Sequence, residues 1–237
     1  MLTNKTIVIT GASKGIGKAI ALAMAGLNVN LALIARSETE LTAVQTEAIS
    51  KGSSAEIFAG SVSDEAFVNN TIQTVLQKFG KIDVMINNAG YGVFGSVENI
   101  SSADWDDVFA TNTKGTFLFC KAVAPHMKQR KDGHIINLAS DVAKRVFGGG
   151  SLYCATKYAQ DAFSMAIRKE LRPYEIKVSV IYSGLVDSSF HTDPQGSSNH
   201  EDWLKNEDMA NAVIYIASQP KHVVIDELMI HPISQDY

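Results

Sequence analysis

Little in this chain invites covalent cross-linking. Its 237 residues include two cysteines, Cys120 and Cys154, which lack a C-x-x-C partner and cannot build a disulfide framework. A reducing cytosol, hence a cytoplasmic protein, is the expected setting. Proline is scarce at 5 residues, and with 17 glycines and 46% apolar residues the composition excludes disordered and collagen-like chains. Charge of either sign is not in large excess: the net value of −4 gives no general affinity for nucleic acid or anionic membrane. Long apolar runs are missing too. The longest such region, 19–35, is broken by Asn28 and Asn30 and reads as a helix followed by a strand rather than a membrane span. The opening MLTNKTIVITG enters an apolar strand after five residues, which leaves no room for a signal peptide. Metal-ligand spacing is absent: His200-Glu201 does not continue as H-E-x-x-H, and no other His/Cys grouping fits, so no metal is expected. No linker divides the chain, and one domain over residues 1–237 is the expected organisation.

What is there alternates. Strand-like runs at 6–10, 29–35, 55–59, 83–86, 134–138, 177–181 and 223–230 are separated by helical patterns ending near Ala25 and at 38–51, 64–79, 103–130, 152–171 and 207–218. Pro125 predicts a break or kink inside the long 103–130 helix. Strands apolar on both faces and alternating with helices imply an α/β fold: a doubly wound, Rossmann-like parallel sheet of about seven strands covered on each side.

The first strand runs into Thr10-Gly11-Ala12-Ser13-Lys14-Gly15-Ile16-Gly17 and then a helix. Small residues let backbone approach a pyrophosphate, whose charge is stabilised by the free N–H groups of a helix N-terminus. The spacing is G-x-x-x-G-x-G rather than G-x-G-x-x-G, and a tight turn alone would also want these glycines. The same residues fit G-x-S-x-G, the nucleophile elbow of serine hydrolases with Ser13 as nucleophile, although no histidine has a context that marks it as the partner. At the end of the second strand, where an acidic residue would hold the ribose of NAD, stands Arg36. With Lys14 it supplies two positive charges, which suit the 2′-phosphate of NADP(H).

Later in the chain SLYCATK, residues 151–157, places Tyr153 and Lys157 four apart, on one helix face one turn from each other. Of the seven tyrosines only Tyr153 has a lysine four residues on. A phenol with a pKa of about 10 donates its proton sluggishly at neutral pH, and a nearby ammonium can lower that value by roughly 1–3 units. TGASKGIG, Asn87-Asn88-Ala89-Gly90, Asn112, Ser140 and Tyr153-x-x-x-Lys157 occur in this order, and with them the chain resembles the short-chain dehydrogenase/reductase family over essentially its whole length.

The resemblance implies an oxidoreductase that transfers a hydride between NADP(H) and a carbonyl or alcohol. Tyr153 is then the general acid/base. Lys157 tunes it and binds the nicotinamide ribose, Ser140 holds the substrate oxygen, and Asn112 orders a water that relays protons to Lys157. The implied cofactor contacts are Gly11, Ser13, Lys14, Gly15, Ile16, Gly17, Arg36, Val62, Asn88, Ala89, Gly90, Tyr153, Lys157, Gly184, Val186 and Ser188, with Asn87 equally suited to a structural part. Two departures stand out. Ser61-Val62 lacks the acidic residue usual near the adenine. Ser183-Gly184 replaces Pro-Gly, which predicts a looser turn, with Ser188 in place of the threonine hydroxyl at the carboxamide. Tyr91, Val93, Phe94, Val142 and Phe147 are candidate substrate walls, with the loop 187–203, whose polar QGSSNHED stretch reads as a mobile lid or a plain surface connection. Lys144 and Arg145 would meet an anionic substrate or simply be solvated. A homodimer or homotetramer built on the helices around 103–130 and 152–171, with the tail 232–237, is expected by the same resemblance. A protein that senses NADP(H) without catalysis remains the alternative from another class.

Overall fold

Five consecutive buried residues, Thr6–Thr10, form β1, and their alternation explains the architecture. Ile7 and Ile9 pack in one hydrophobic cluster and Val8 in another, because the strand lies mid-sheet with helices against both faces. The computed structural model describes residues 2–191 and 193–236; Met1, Thr192 and Tyr237 lie outside the described residues. From β1 the chain continues through α1 (Gly15–Ala25), β2 (Asn30–Ala35), α2 (Glu38–Ser50), β3 (Ser54–Ala59), α3 (Glu65–Phe79) and β4 (Val84–Asn87). Then come α4 (Ser102–Phe109), α5 (Gly115–Arg130), β5 (His134–Leu138), α6 (Ser151–Leu171), β6 (Lys177–Ser183), the short β7 (Val186–Asp187) and β8 (Leu204–Lys205), α7 (Asn206–Ala217) and β9 (Glu227–Ile230).

Seven strands form one sheet in the order β3-β2-β1-β4-β5-β6-β9, every neighbouring pair parallel. One face carries α1, α2 and α7 through Ile20, Met24, Leu41, Met209 and Val213; the other carries α3, α5 and α6 through Val68, Ile72, Phe119, Val123 and Ile167. The chain winds outward from β1 to β3 and returns to β1's other side with β4. This makes the C-terminal ends of β1 and β4 the topological switch point, where such sheets open a crevice. No helix among the described residues is long and apolar enough to cross a membrane.

The structure corrects two expectations of detail. Pro125 does not break its helix: it sits inside α5 on the solvent side, where water can take up the carbonyl it frees. The irregularity lies instead at Ala110–Lys114, a π-helical turn between α4 and α5 that carries Asn112. The last strand is short, only 227–230, because the preceding residues, Pro220 to Val223 among them, form a turn.

At the N-terminal end of the sheet the buried carboxylate of Asp83 gathers charge. It accepts from Thr6 N–H at 2.9 Å and pairs with Arg130 at 2.9 Å, Lys81 at 3.1 Å and Lys5 at 3.2 Å. Burial pushes this carboxyl up, but the Thr6 N–H, Arg130, Lys5 and Lys81 together hold it below the ordinary range.

Candidate active site

At the opposite end of the sheet a cleft of about 730 Å³ runs from the glycine loop to Tyr153. Gly11 and Gly15 have φ of 66° and 54°, in the left-handed region that favours glycine. A Cβ on Gly17 would come within 2.0 Å of the Gly11 carbonyl oxygen, so loop and helix touch backbone to backbone. The N-terminus of α1 has no side-chain cap and no acidic residue in its first turn. Its orphan N–H groups therefore face the cleft, a fit for a pyrophosphate. Thr10, at the end of β1, ties the loop to β4: its Oγ1 accepts from the N–H of Asn88 at 3.0 Å and of Ala89 at 3.1 Å. Asn88 Nδ2 returns bonds to the carbonyls of Thr10 and Gly11.

Of the expected cofactor residues, Gly11, Ser13, Lys14, Gly15, Ile16, Arg36, Val62, Asn88, Ala89, Gly90, Tyr153, Lys157, Gly184, Val186 and Ser188 line this one cleft. Gly17 lies behind the loop. Lys14 and Arg36 are exposed and, among the described residues, neither has a carboxylate partner. Ser37 and Glu40 line the same end, Ser37 capping α2 by accepting from the Glu40 N–H. Asn87 is structural: buried, it donates to Asn137 Oδ1 at 2.8 Å. Among the described residues His126, His134 and His200 bond through their rings to Ile82, Ser179 and Asp187, His191 to the Val186 backbone, and His231 pairs with Asp141, so none of these contacts marks a base for Ser13.

The helix α6 places Tyr153 in its first turn and Lys157 one turn on. Lys157 is 5% exposed; its ammonium donates to Leu138 O and Gln160 Oε1, each at 3.1 Å, and its third N–H has no acceptor among the described residues. Burial lowers its pKa to about 8. The spacing predicted that this ammonium would draw the Tyr153 phenol down. Instead it lies over the ring, 5.7 Å from the centroid. Burial dominates and raises the phenol above its ordinary value, with the Ser140 hydrogen bond pulling down and the Asp141 carboxylate pushing up. The tyrosine is thus held proton-loaded. Ser140 sits after β5, 7% exposed, its hydroxyl within reach of Asp141 Oδ1 at 3.0 Å and Ser183 O at 3.3 Å.

Asn112 is fully buried and outside the cleft wall. Both Nδ2 hydrogens are spent, on Tyr91 O at 2.9 Å and Thr156 Oγ1 at 3.1 Å, while Oδ1 accepts from Tyr91 N–H. Its side chain therefore has no donor left for the expected water. A chain of hydrogen bonds also ties Lys157 to the Asn112 backbone: Lys157 to Gln160, Gln160 Nε2 to Thr116 Oγ1 at 3.0 Å, and Thr116 to the Asn112 carbonyl at 2.9 Å.

Several contributors escaped the sequence reading. Asp141 Oδ2 is shared by Arg145 and by Gln235 Nε2 at 2.8 Å, and Gln235 Oε1 accepts from Leu185 N–H at 2.8 Å. With Gly184 N–H on Ile230 O, the Ser183-Gly184 turn is held by the C-terminal tail rather than loosened. Lys144 is exposed, as a solvated side chain would be, but lies outside the cleft, where it pairs with Asp161 at 2.9 Å and Glu227 at 3.5 Å. The loop after β6 is folded: β7 pairs with β8, and Asp187 accepts from Gly196 N–H, His200 Nδ1 and Lys205 Nζ. Tyr91, Phe94, Val142, Phe147, Phe190 and His191 line the cleft; Val93 does not. Among the described residues no cluster of His, Cys, Asp or Glu could hold a metal.

Sheet, switch-point cleft and glycine loop define a Rossmann-like fold. The family model described as short chain dehydrogenase matches residues 5–198, and the chain belongs to that family. An uncharacterised oxidoreductase of Staphylococcus aureus (strain MRSA252) is 31% identical over 233 residues, 98% of this chain and 99% of the relative. Among solved structures, the alcohol dehydrogenase of the archaeon Thermococcus sibiricus complexed with 5-hydroxy-NADP superposes with a TM-score of 0.93 at 32% identity, covering 98% of each chain. A metagenomic short-chain oxidoreductase in complex with NADP gives a TM-score of 0.87 at 31% identity, covering 99% of each.

Proposed function

We propose that this oxidoreductase reduces the carbonyl of a small molecule, or oxidises the matching alcohol, using NADP(H), with Tyr153 as the proton donor. One observation carries the reading: a single cleft joins an uncapped glycine-loop helix and two unpaired cations at one end to Tyr153, Ser140 and Lys157 at the other. Lys14 and Arg36 would hold the 2′-phosphate, and the NADP complexes of the two structural relatives support that choice. Lys157, with its spare N–H, would bind the nicotinamide ribose. The nicotinamide, when bound, supplies the hydride for reduction or accepts it in oxidation. Ser140 Oγ holds the substrate oxygen, and the Tyr153 phenol, kept protonated by burial, delivers its proton there as the carbonyl becomes an alcohol.

NADPH consumption across ketones, aldehydes, quinones and 3-oxoacyl thioesters tests the reading. Oxidation of NADPH by some carbonyl, lost in Tyr153→Phe, is expected; NADPH binding with no carbonyl reduced would favour a sensor instead. Two unpaired, buried cysteines suit the cytosolic setting we assign. Self-association is part of the proposal: the outer side of α4, α5 and α6 leaves Trp105, Phe117, Tyr158 and Met165 40–44% exposed. Sedimentation should show a dimer or tetramer at micromolar concentration.

A further inference from the structure

The substrate half of the cleft is built from aromatic rings, and its charges are already spent. Phe94, from the loop after β4, lies 5.6 Å from the Tyr153 ring, 6.0 Å from Phe147 and 6.1 Å from Phe190. Phe190, after β7, lies 5.3 Å from Tyr153. Three separate segments thus bring phenylalanines around one phenol. Phe94 and Phe147 remain 49% and 47% exposed, and Val146 beside them 71%. Exposed apolar surface gathered about a reacting group is what a ligand's apolar body would cover.

The polar groups on this side point the same way. Arg145, the cation of the wall, is bound to Asp141 through Nε and Nη2 and to the Asp236 carbonyl through Nη1. Lys144 is turned away to Asp161 and Glu227. His191 is held below its usual value, chiefly by burial and then by His200, which favours the neutral ring. Apart from Lys157, whose spare N–H the nicotinamide ribose would take, a substrate carboxylate would find no uncommitted cation on this side among the described residues and would face the Asp141 carboxylate.

We infer that the substrate is an uncharged carbonyl compound with an aromatic or comparably bulky apolar group beside the carbonyl, seated between Phe94, Phe147 and Phe190. This rests on the carbonyl-reducing reading above and deepens it. Edge-to-face packing of a substrate ring against these phenylalanines would turn the carbonyl oxygen toward Ser140 and Tyr153.

Three ketones separate the terms: acetophenone, 4-acetylbenzoate, which adds a para carboxylate, and butan-2-one, which removes the ring. With NADPH and the wild-type protein, kcat/KM for acetophenone should exceed that for each of the others by about tenfold or more. Phe94→Ala and Phe147→Ala should each cut the acetophenone-to-butan-2-one ratio by about tenfold. Equal or better use of 4-acetylbenzoate or butan-2-one, with turnover still lost in Tyr153→Phe, overturns the inference and leaves the catalytic reading standing. Turnover that survives Tyr153→Phe sinks the catalytic reading instead. Calorimetric titration with acetophenone judges the cage without turnover: binding to the wild type that weakens in the Phe94→Ala, Phe147→Ala double variant supports it, and no binding, or equal binding by both, overturns it.

Discussion

The two ends of the sheet treat charge in opposite ways. At the N-terminal end, Asp83 is nearly inaccessible and meets three cations and a backbone N–H, so its demand is met inside the fold. At the C-terminal end, Lys14 and Arg36 have no carboxylate partner, the N–H groups of α1 are uncapped, and Lys157 keeps a donor in reserve. The same sheet produces both, because parallel strands bring every β-to-α loop to one edge and every return loop to the other. Satisfied charge at one end stabilises the fold; unsatisfied donors at the other describe the ligand by its complement. The difference should show in which property each mutation changes.

The largest effect belongs to the phenol. Tyr153→Phe removes one oxygen from a ring packed against Phe94 and Phe190, so melting temperature and cofactor affinity should hold while turnover falls by roughly 10²–10⁴-fold. Steady-state kinetics beside a cofactor titration check this, and near-full turnover would end the mechanism. Next comes Arg36→Asp. Losing charge-assisted bonds worth about 1.5–3 kcal/mol and adding repulsion should move preference from NADPH toward NADH by ~10-fold or more, and raising salt should narrow the wild-type preference. Equal affinity of the wild type for both cofactors would remove the phosphate reading.

At the other end Asp83→Asn should act on stability alone, by about 1–3 kcal/mol, leaving turnover at room temperature unchanged. Because the folded carboxyl lies below its unfolded value, its contribution is full above about pH 4 and is lost as pH falls through the folded value. Thermal scans should therefore show the gap between variant and wild type closing in acid. A turnover loss at constant stability would break the division between the two ends. The smallest effect is expected for Gln160→Leu, which unties Lys157 from Thr116. If the charged Lys157 is what grips the nicotinamide ribose, reduction should decline above about pH 8 as the ammonium loses its proton. The variant should displace that alkaline limb, with a change of a few-fold in kcat, where a merely structural residue would leave the pH profile in place.

Much of the fold was legible because its signals are local. The strand 6–10, the glycine loop and the Tyr153–Lys157 pair each lie within a stretch short enough for spacing to fix geometry. Other features were not, because their partners are far apart in the chain. Asp141 meets Gln235 across 94 positions, and Gln160 meets Thr116 across 44, distances no local pattern reports. Pro125 misled for a different reason: its chemistry argues against helix interior, but a solvent-facing site tolerates the lost bond. The loop 187–203 read as polar connection or lid, since nothing in QGSSNHED announces that Asp187 will anchor Gly196, His200 and Lys205.

By itself the sequence determined the alternation of strands and helices, the glycine turn that only small residues can make, and the tyrosine and lysine on one helix face. These follow from periodicity and backbone sterics, which act over a few residues. Tertiary structure alone decided how the protons are held. Whether Lys157 draws the phenol down depends on where its ammonium points, and packing turned it toward Leu138 and Gln160. Burial, which no single stretch of chain controls, then set both groups away from their ordinary values: the lysine down, the tyrosine up.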